Sequence, residues 1–389
     1  MSQDSCQSCS STQLRRFFEL DAIPVHSCLL MESREEARNI ARRDLVLDFC
    51  EDCGFVQNTV FDSSVHRYSP QYEETQAYSS TFNAFAEDLA RQWIERYQIY
   101  GKRVLEIGCG KGEFLVKICE LGDNEGIGID PGYRPERTHT KANVRFLSEF
   151  YCENHGDFDA DVILCRHSLE HIAPVRELMQ TIRRSIGKRE TIVLFELPAI
   201  ERVLEGLAFE DVYYEHCSYF SLGSLARLFR DTGFRVLRLA SVYDDQYLLI
   251  EADTRSNAKA PPLPEEKDLP RLRAGVQHFQ KQAPGRIAEL AATVRAASAQ
   301  GEKTVLWGSG SKAVAFLTAT GLDEEIEFGI DINPHKHGRF IPGSGQEVKG
   351  PEFLQEDVPE RVLVMNRIYL PEIGAQLKSM GLSPKLEAL

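Results

Sequence analysis

Between residues 70 and 100 apolar positions recur at three- and four-residue steps, through Phe82, Phe85, Ala86, Leu89, Trp93, Ile94 and Tyr97, which predicts a helix. From Lys102 to Ala252 the pattern changes to short β-rich runs alternating with helical stretches. The runs RVLEI, EGIGID, DVILC, TIVLFEL, FRVLRLA and QYLLIEA predict strands, with helices near 113–121, 174–186 and 223–232. Such alternation predicts an α/β fold, a doubly wound sheet with helices on both faces. Residues 256–270, rich in proline and charge, read as a linker. A helix is predicted over about 271–299, with Leu272, Val276, Phe279, Ala283, Ile287, Leu290 and Val294 on one stripe and Pro284 placed to kink or interrupt it. Residues 303–389 begin again with strand, glycine loop and helix (TVLWGSGSKAVAFL, then EFGIDINP), which predicts a second, smaller α/β domain. The chain therefore divides into 1–68, 69–255, 256–300 and 301–389.

Composition narrows the function classes. A chain of 389 residues with 42% hydrophobic and 27% charged residues is that of a globular protein. The formal charge of −14 disfavours nucleic acid as the main partner, because phosphate binding needs a basic footprint. No apolar h-region and no membrane-length apolar segment is present, so a cytoplasmic location without a membrane partner is expected. In that compartment the ten cysteines need a role other than disulfides.

Four of them, Cys6, Cys9, Cys50 and Cys53, form two C-x-x-C pairs. Two such pairs can supply the four thiolates of a structural Zn²⁺ site, and Gly54 after the second suits a tight turn. The forty residues between the pairs exceed the usual spacing, and a redox pair or unligated thiols are the alternatives. His26 is a candidate substitute ligand, although a lone histidine in PVHS is more often structural.

Gly108, Gly110 and Gly112 give G-x-G-x-G between a strand and a helix, where backbone N–H groups and the helix terminus can approach a ligand. A dinucleotide loop wants glycine or alanine at 113, which is Glu113 here. Glu106 precedes the loop, where a carboxylate can position an ammonium, and Asp130 closes the next strand, where it can accept from ribose hydroxyls. These residues resemble the first two motifs of the class I S-adenosylmethionine methyltransferases. The resemblance assigns Glu106, Gly108, Cys109, Gly110 and Gly112 to the methionine end of the cofactor and Asp130 to the ribose. It also places Cys165 and Arg166 near the sulfonium and Ser148 or Glu149 near the adenine.

A second constellation is DVYYEHCSYFS at 211–221, with two tyrosines, a glutamate and a histidine within reach of one cleft if they lie on a loop. Packing roles for Tyr213 and Tyr219 and an ordinary loop role for His216 are the plain alternative. The order of CQSC, CEDCGFVQN, Tyr78-Ser79-Ser80, YYEHCSYFSLGSL, GSGSK and DINPHKHGRFIPG is similar to that of the three-domain sugar C-methyltransferases acting on nucleotide-linked deoxysugars. That likeness implies a zinc-binding N-terminal domain, a class I methyltransferase domain and a Rossmann-like C-terminal domain. It implies that His216 removes the proton next to a ketone, with Glu215, Tyr213, His171 and Tyr78 around the reacting centre. Lys312, Lys336 and Arg339 would lie near the phosphates of the acceptor. A histidine with an unperturbed pKa of about 6.5 is a competent base near neutrality. The likeness has gaps: relatives usually read G-S-N-D-G at 108–112 and H-E-H at 214–216. Two rival readings stand beside it, O- or N-methylation of another small molecule and an NAD-binding oxidoreductase suggested by Gly308-Ser309-Gly310 with Asp331. A monomer is expected, since three domains can enclose the cleft themselves.

Overall fold

The computed structural model describes residues 4–29, 31–65, 71–255 and 260–389. The predicted boundary at 68/69 and residues 256–259 of the predicted linker lie outside the described residues. The N-terminal part contains β1 (Leu14–Pro24), α1 (Arg34–Arg38), β2 (Arg42–Cys50) and β3 (Val56–Asn58). Its strands pair antiparallel in the order β1-β2-β3.

The central part opens with α2 (Ser80–Tyr97), shorter than the predicted helical stretch because 71–79 runs as an extended strap. There follow β4 (Arg103–Ile107), α3 (Glu113–Gly122), β5 (Glu125–Ile129), β6 (Val144–Leu147), β7 (Val162–Arg166), α4 (Val175–Ile186) and β8 (Ile192–Pro198). Then come α5 (Ile200–Gly206), β9 (Ser218–Tyr219), α6 (Leu222–Asp231), β10 (Arg235–Val242) and β11 (Tyr247–Asp253). Seven of these strands form one sheet in the order β10-β11-β8-β7-β4-β5-β6. All neighbours from β8 to β6 are parallel, and β11 is antiparallel to both of its partners. β6 and α5 escape the sequence pattern, since each is short and only partly apolar.

Strand β9 belongs elsewhere. It pairs antiparallel with β3, Val56 opposite Tyr219 and Gln57 opposite Ser218, and becomes the fourth strand of the N-terminal sheet. An edge that would otherwise present unpaired N–H and C=O groups is thereby covered. The sheet of the N-terminal part is thus completed by the segment that carries His216.

The last part contains α7 (Leu269–Ala299), β12 (Thr304–Trp307), α8 (Ser311–Thr320), β13 (Ile326–Ile330), β14 (Glu347–Lys349), β15 (Arg361–Val364), α9 (Leu370–Ser379) and β16 (Lys385–Ala388). Its five strands are all parallel, in the order β14-β13-β12-β15-β16. Pro284 does not interrupt α7, which runs through it. Both Pro284 and Gln280, whose carbonyl the ring would displace, face solvent, where water can satisfy the freed group. One apolar core links the parts: Phe17, Phe18 and Phe49 of the N-terminal sheet, Val203 of α5, Phe279 of α7 and Phe316 of α8 pack in a single cluster.

In the parallel part of the central sheet and in the last sheet the strand order reverses beside the first strand, so clefts open at the carboxyl ends of β4 and β12, where such folds bind ligands. The two clefts are joined by a carboxylate. Glu372 of α9 accepts from Ser79 Oγ at 2.7 Å, Ser80 N at 3.0 Å and Thr81 N at 3.4 Å, at the N-terminus of α2. A negative charge there complements the helix dipole and otherwise unpaired N–H groups. Glu372→Ala should therefore lower stability by roughly 1–2 kcal/mol, in the range of lost helix caps. The shift of the urea midpoint at unchanged m-value checks it.

Candidate active site

The loop after β4 has a backbone that few side chains tolerate. Gly108 sits at φ +68° and Gly112 at φ +81°. A Cβ on the first would lie 1.9 Å from Ser168 Oγ, and one on the second 2.5 Å from the Phe146 ring. The requirement for glycine is thus both conformational and steric. Gly112 caps α3 without a side-chain acceptor, which leaves the helix N-terminus facing the cleft. Asp130 receives Gly110 N at 2.9 Å on one oxygen and Gly132 N at 2.7 Å on the other. Each oxygen keeps a second lone pair, which suits a pair of ribose hydroxyls.

Glu106 is 2% exposed, and its Oε2 has no hydrogen-bond partner among the described residues. Burial pushes its carboxyl up to about 8, against the pull of Arg166. An orphaned buried acceptor at the mouth of a helix fits the ammonium of an amino-acid cofactor tail. Arg166 is held by Glu196 at 2.7 Å and stacks 3.9 Å over the Phe114 ring. Cys109 lines the cavity, whereas Cys165 does not: it is 1% exposed and packs in the core below the sheet. Its assignment to the cofactor is corrected, because alternation along β7 turns Cys165 and Arg166 to opposite faces. Glu149 lines the cavity together with Phe150 and Tyr151, and Ser148 does not.

These groups open onto a cavity of about 1100 Å³ that continues between the central and C-terminal sheets. His216, 5% exposed, places Nε2 2.7 Å from the Tyr213 hydroxyl. Its ring lies 4.9 Å from that of His171. Burial, then the neighbouring His171, hold its pKa well below the ordinary histidine value, so the ring is neutral. His171 Nδ1 donates to the Glu215 carbonyl at 3.0 Å.

Glu215 lines the cavity beside His216, but its carboxylate is taken up by the N-terminal part and the strap. Its carboxylate accepts from Tyr72 OH at 2.8 Å, from Ser27 N at 3.1 Å and from the Ser27 hydroxyl, with His26 Nδ1 at 3.4 Å. It anchors the loop to the N-terminal part and the strap. His26 therefore has a structural place beside Glu215 and is not in the cysteine cluster. Tyr78 lines the cavity, 40% exposed, at the start of α2.

On the opposite wall Lys312 is ion-paired with Asp211, and Lys336 Nζ lies 2.9 Å from Asp331. Arg339 pairs with Glu32 and does not line the cavity, so its expected place near the acceptor phosphate is corrected. Asp331 also accepts from Ser309 N and Asn333 N, each at 2.9 Å. With Lys336 added, the carboxylate that a dinucleotide ribose would use is already engaged. Sequence reading missed Glu170, whose carboxyl burial pushes up to about 8, and the hydrogen-bonded Gln76–Tyr369–Tyr243 chain. No motif marks these residues; Glu170, Gln76 and Tyr369 stand out only because they line one cavity.

The four cysteines converge away from the cavity. Cys6 and Cys53 Sγ are 3.6 Å apart, as are Cys9 and Cys50, and all four lie within 4.8 Å of one another. Zn–S bonds of about 2.3 Å give tetrahedral S–S edges of about 3.8 Å, so the donor set fits a closed site.

A family model described as "Methyltransferase domain" matches residues 81–239, and one described as "C-methyltransferase C-terminal domain" matches 263–382. The chain is an S-adenosylmethionine-dependent methyltransferase. Among relatives, it is 27% identical over 290 residues to the C-methyltransferase NovU of Streptomyces niveus, covering 70% of this chain and 68% of that protein. It is 28% identical over 109 residues to the ubiquinone biosynthesis O-methyltransferase of Erwinia tasmaniensis, covering 25% of this chain and 44% of that protein. Solved structures similar to it include a SAM-dependent methyltransferase from Archaeoglobus fulgidus, at 22% identity and TM-score 0.32, covering 43% of this chain and 94% of the other. Another is magnesium protoporphyrin IX methyltransferase from Synechocystis with bound SAH, at 13% identity and TM-score 0.34, covering 45% of this chain and 84% of the other. Among the described residues no helix is long and apolar enough to cross a membrane.

The methyltransferase's cofactor affinity should follow Glu106. Its carboxyl is raised to about 8, so at pH 6 it is protonated and must lose that proton to pair with the cofactor ammonium. S-Adenosylhomocysteine binding should therefore tighten as pH rises from 6 to 8, by up to about tenfold per unit. Glu106→Gln should weaken binding and flatten this slope in calorimetric titrations.

Proposed function

We propose that the enzyme C-methylates a keto-sugar, carried on a nucleotide, at the carbon next to the ketone. The observation that carries this reading is the neutral, buried His216, hydrogen-bonded to Tyr213 and facing the same cavity as the Gly108–Gly112 loop. The C-methyltransferase description of the second family model and the likeness to NovU support it.

His216 takes the proton α to the ketone and becomes an imidazolium, which Tyr213 and nearby Glu215 help to accommodate. Donors in the cavity hold the enolate oxygen; Tyr78 and Tyr213 are the neutral candidates. S-Adenosylmethionine, when bound, supplies the methyl group, whose bond to sulfur breaks as the new carbon–carbon bond forms. His216 then returns its proton to solvent. Alignment within the closed cleft supplies the rest, valued at roughly 7–11 kcal/mol at best. Glu215 acts as a positioning residue, through the loop it anchors. Lys312 and Lys336 would meet the acceptor's phosphates, which must compete with Asp211 and Asp331 for them. The four cysteines hold a structural Zn²⁺ that ties 6–9 to the end of β2.

Two measurements test this. With S-adenosylhomocysteine bound in heavy water, a keto-sugar nucleotide should exchange its α-proton. His216→Asn should slow that exchange by about 10²–10⁴-fold while leaving cofactor affinity unchanged. Methyl transfer to oxygen without any α-exchange would overturn the assignment. For the metal, the purified chain should carry one zinc, and Cys50→Ser should lose it. Sites of this kind bind with about 10–16 kcal/mol in isolated peptides, so the variant should melt at a clearly lower temperature.

A further inference from the structure

The cavity holds a second group of metal-ligating side chains beside the cysteines. Glu170 and His171 come from the turn Leu169–His171 after β7, and His216 from the loop before β9. Two hydrogen bonds fasten the two stretches together, backbone Cys217 N to Glu170 O at 3.0 Å and the His171 ring Nδ1 to Glu215 O at 3.0 Å. One ligand atom from each of the three side chains lies within 4.8 Å of the other two. Ligands sharing an ion at about 2.0–2.2 Å sit roughly 3–4 Å apart, a closure that side-chain rotations can supply.

Two further features point to a cation. Glu170 is 2% exposed, yet its Oε2 has no hydrogen-bond partner among the described residues, while Oε1 lies 3.8 Å from His167 Nδ1. His171 donates through Nδ1 to a backbone carbonyl, which leaves Nε2 as the nitrogen able to ligate. That is the outer hydrogen bond by which ligating histidines are oriented. Glu170, His171 and His216 all line the large cavity, so further coordination positions would open toward the acceptor.

We infer that Glu170, His171 and His216 form a binding site for a divalent cation of the zinc, cobalt and manganese class, separate from the four thiolates. Two imidazoles and one carboxylate with open positions suit these ions. Ligation uses a lone pair of His216, so an occupied site and proton abstraction by that ring exclude each other. This consequence, but not the binding itself, rests on the proposed role of His216 as base.

The test uses Co²⁺ added to the full-length chain with zinc retained on the cysteines. One Co²⁺ per chain should bind, with visible bands of nitrogen and oxygen ligation and no thiolate charge-transfer band. Glu170→Gln and His171→Gln should each weaken it at least tenfold while zinc content and S-adenosylhomocysteine affinity stay as in the parent. No Co²⁺ binding, thiolate bands alone, or unchanged affinity in both variants would overturn the site. In the α-proton exchange assay, rising Co²⁺ should suppress exchange in the parent, and the exchange remaining in Glu170→Gln should not respond. Exchange unaffected at full occupancy would overturn the exclusion. If no exchange occurs at all, the base assignment fails while the binding result still stands.

Discussion

Taking the Glu215 carboxylate out of water is expensive unless every lone pair finds a donor. Ser27 and Tyr72 provide those donors from two separate stretches of chain, with His26 alongside. The N-terminal part, the strap before α2 and the loop bearing His216 are therefore fixed to one another by a single side chain. With that loop held, β9 can pair with β3, and Tyr213 and His216 are turned into the cavity. The candidate site is thus built at a junction of parts, which meet on one carboxylate.

The two glycine loops show how one local design is put to different uses. In each, a carboxylate at the end of the second strand receives an N–H from the loop: Asp130 from Gly110, Asp331 from Ser309. Each also caps the turn that follows. They differ in one added cation, since Lys336 occupies Asp331. The first loop therefore keeps acceptor capacity for a cofactor ribose, and the second becomes a wall of the cleft. The strap at 71–79 joins them. Glu74 receives Lys111 from the first loop, and Glu73 receives Asn333 from beside the second.

Electrostatics explains why the cleft keeps neutral and charged groups side by side. His216 is held neutral by burial and by His171, while Glu196 is held ionised, down to about 2, by Arg166 and His167 despite its own burial. Glu106 and Glu170, buried without such compensation, are pushed upward instead.

Much of this was legible in the chain itself, wherever the governing rule is local. Strand and helix periods, the glycine positions of the 108–112 loop and the acid at 130 depend on neighbours a few residues away. What escaped is long-range or directional. Ser27 and Glu215 are 188 residues apart, and no spacing links them. The two-residue strand β9 is too short for any period, and only the bare edge of β3 explains it. Cys165 and Arg166 differ by one step along β7, and the sheet's packing decides which of them meets the cavity. Arg339 was placed by the likeness to the sugar C-methyltransferases, but the carboxylate that claims it, Glu32, is its neighbour only in space. The sequence by itself determined the glycine loop and the two C-x-x-C pairs, because backbone conformation and ligand spacing within a pair are properties of short segments. Tertiary structure alone decided which side chains share the acceptor cavity, because burial and partnership arise only when distant segments pack.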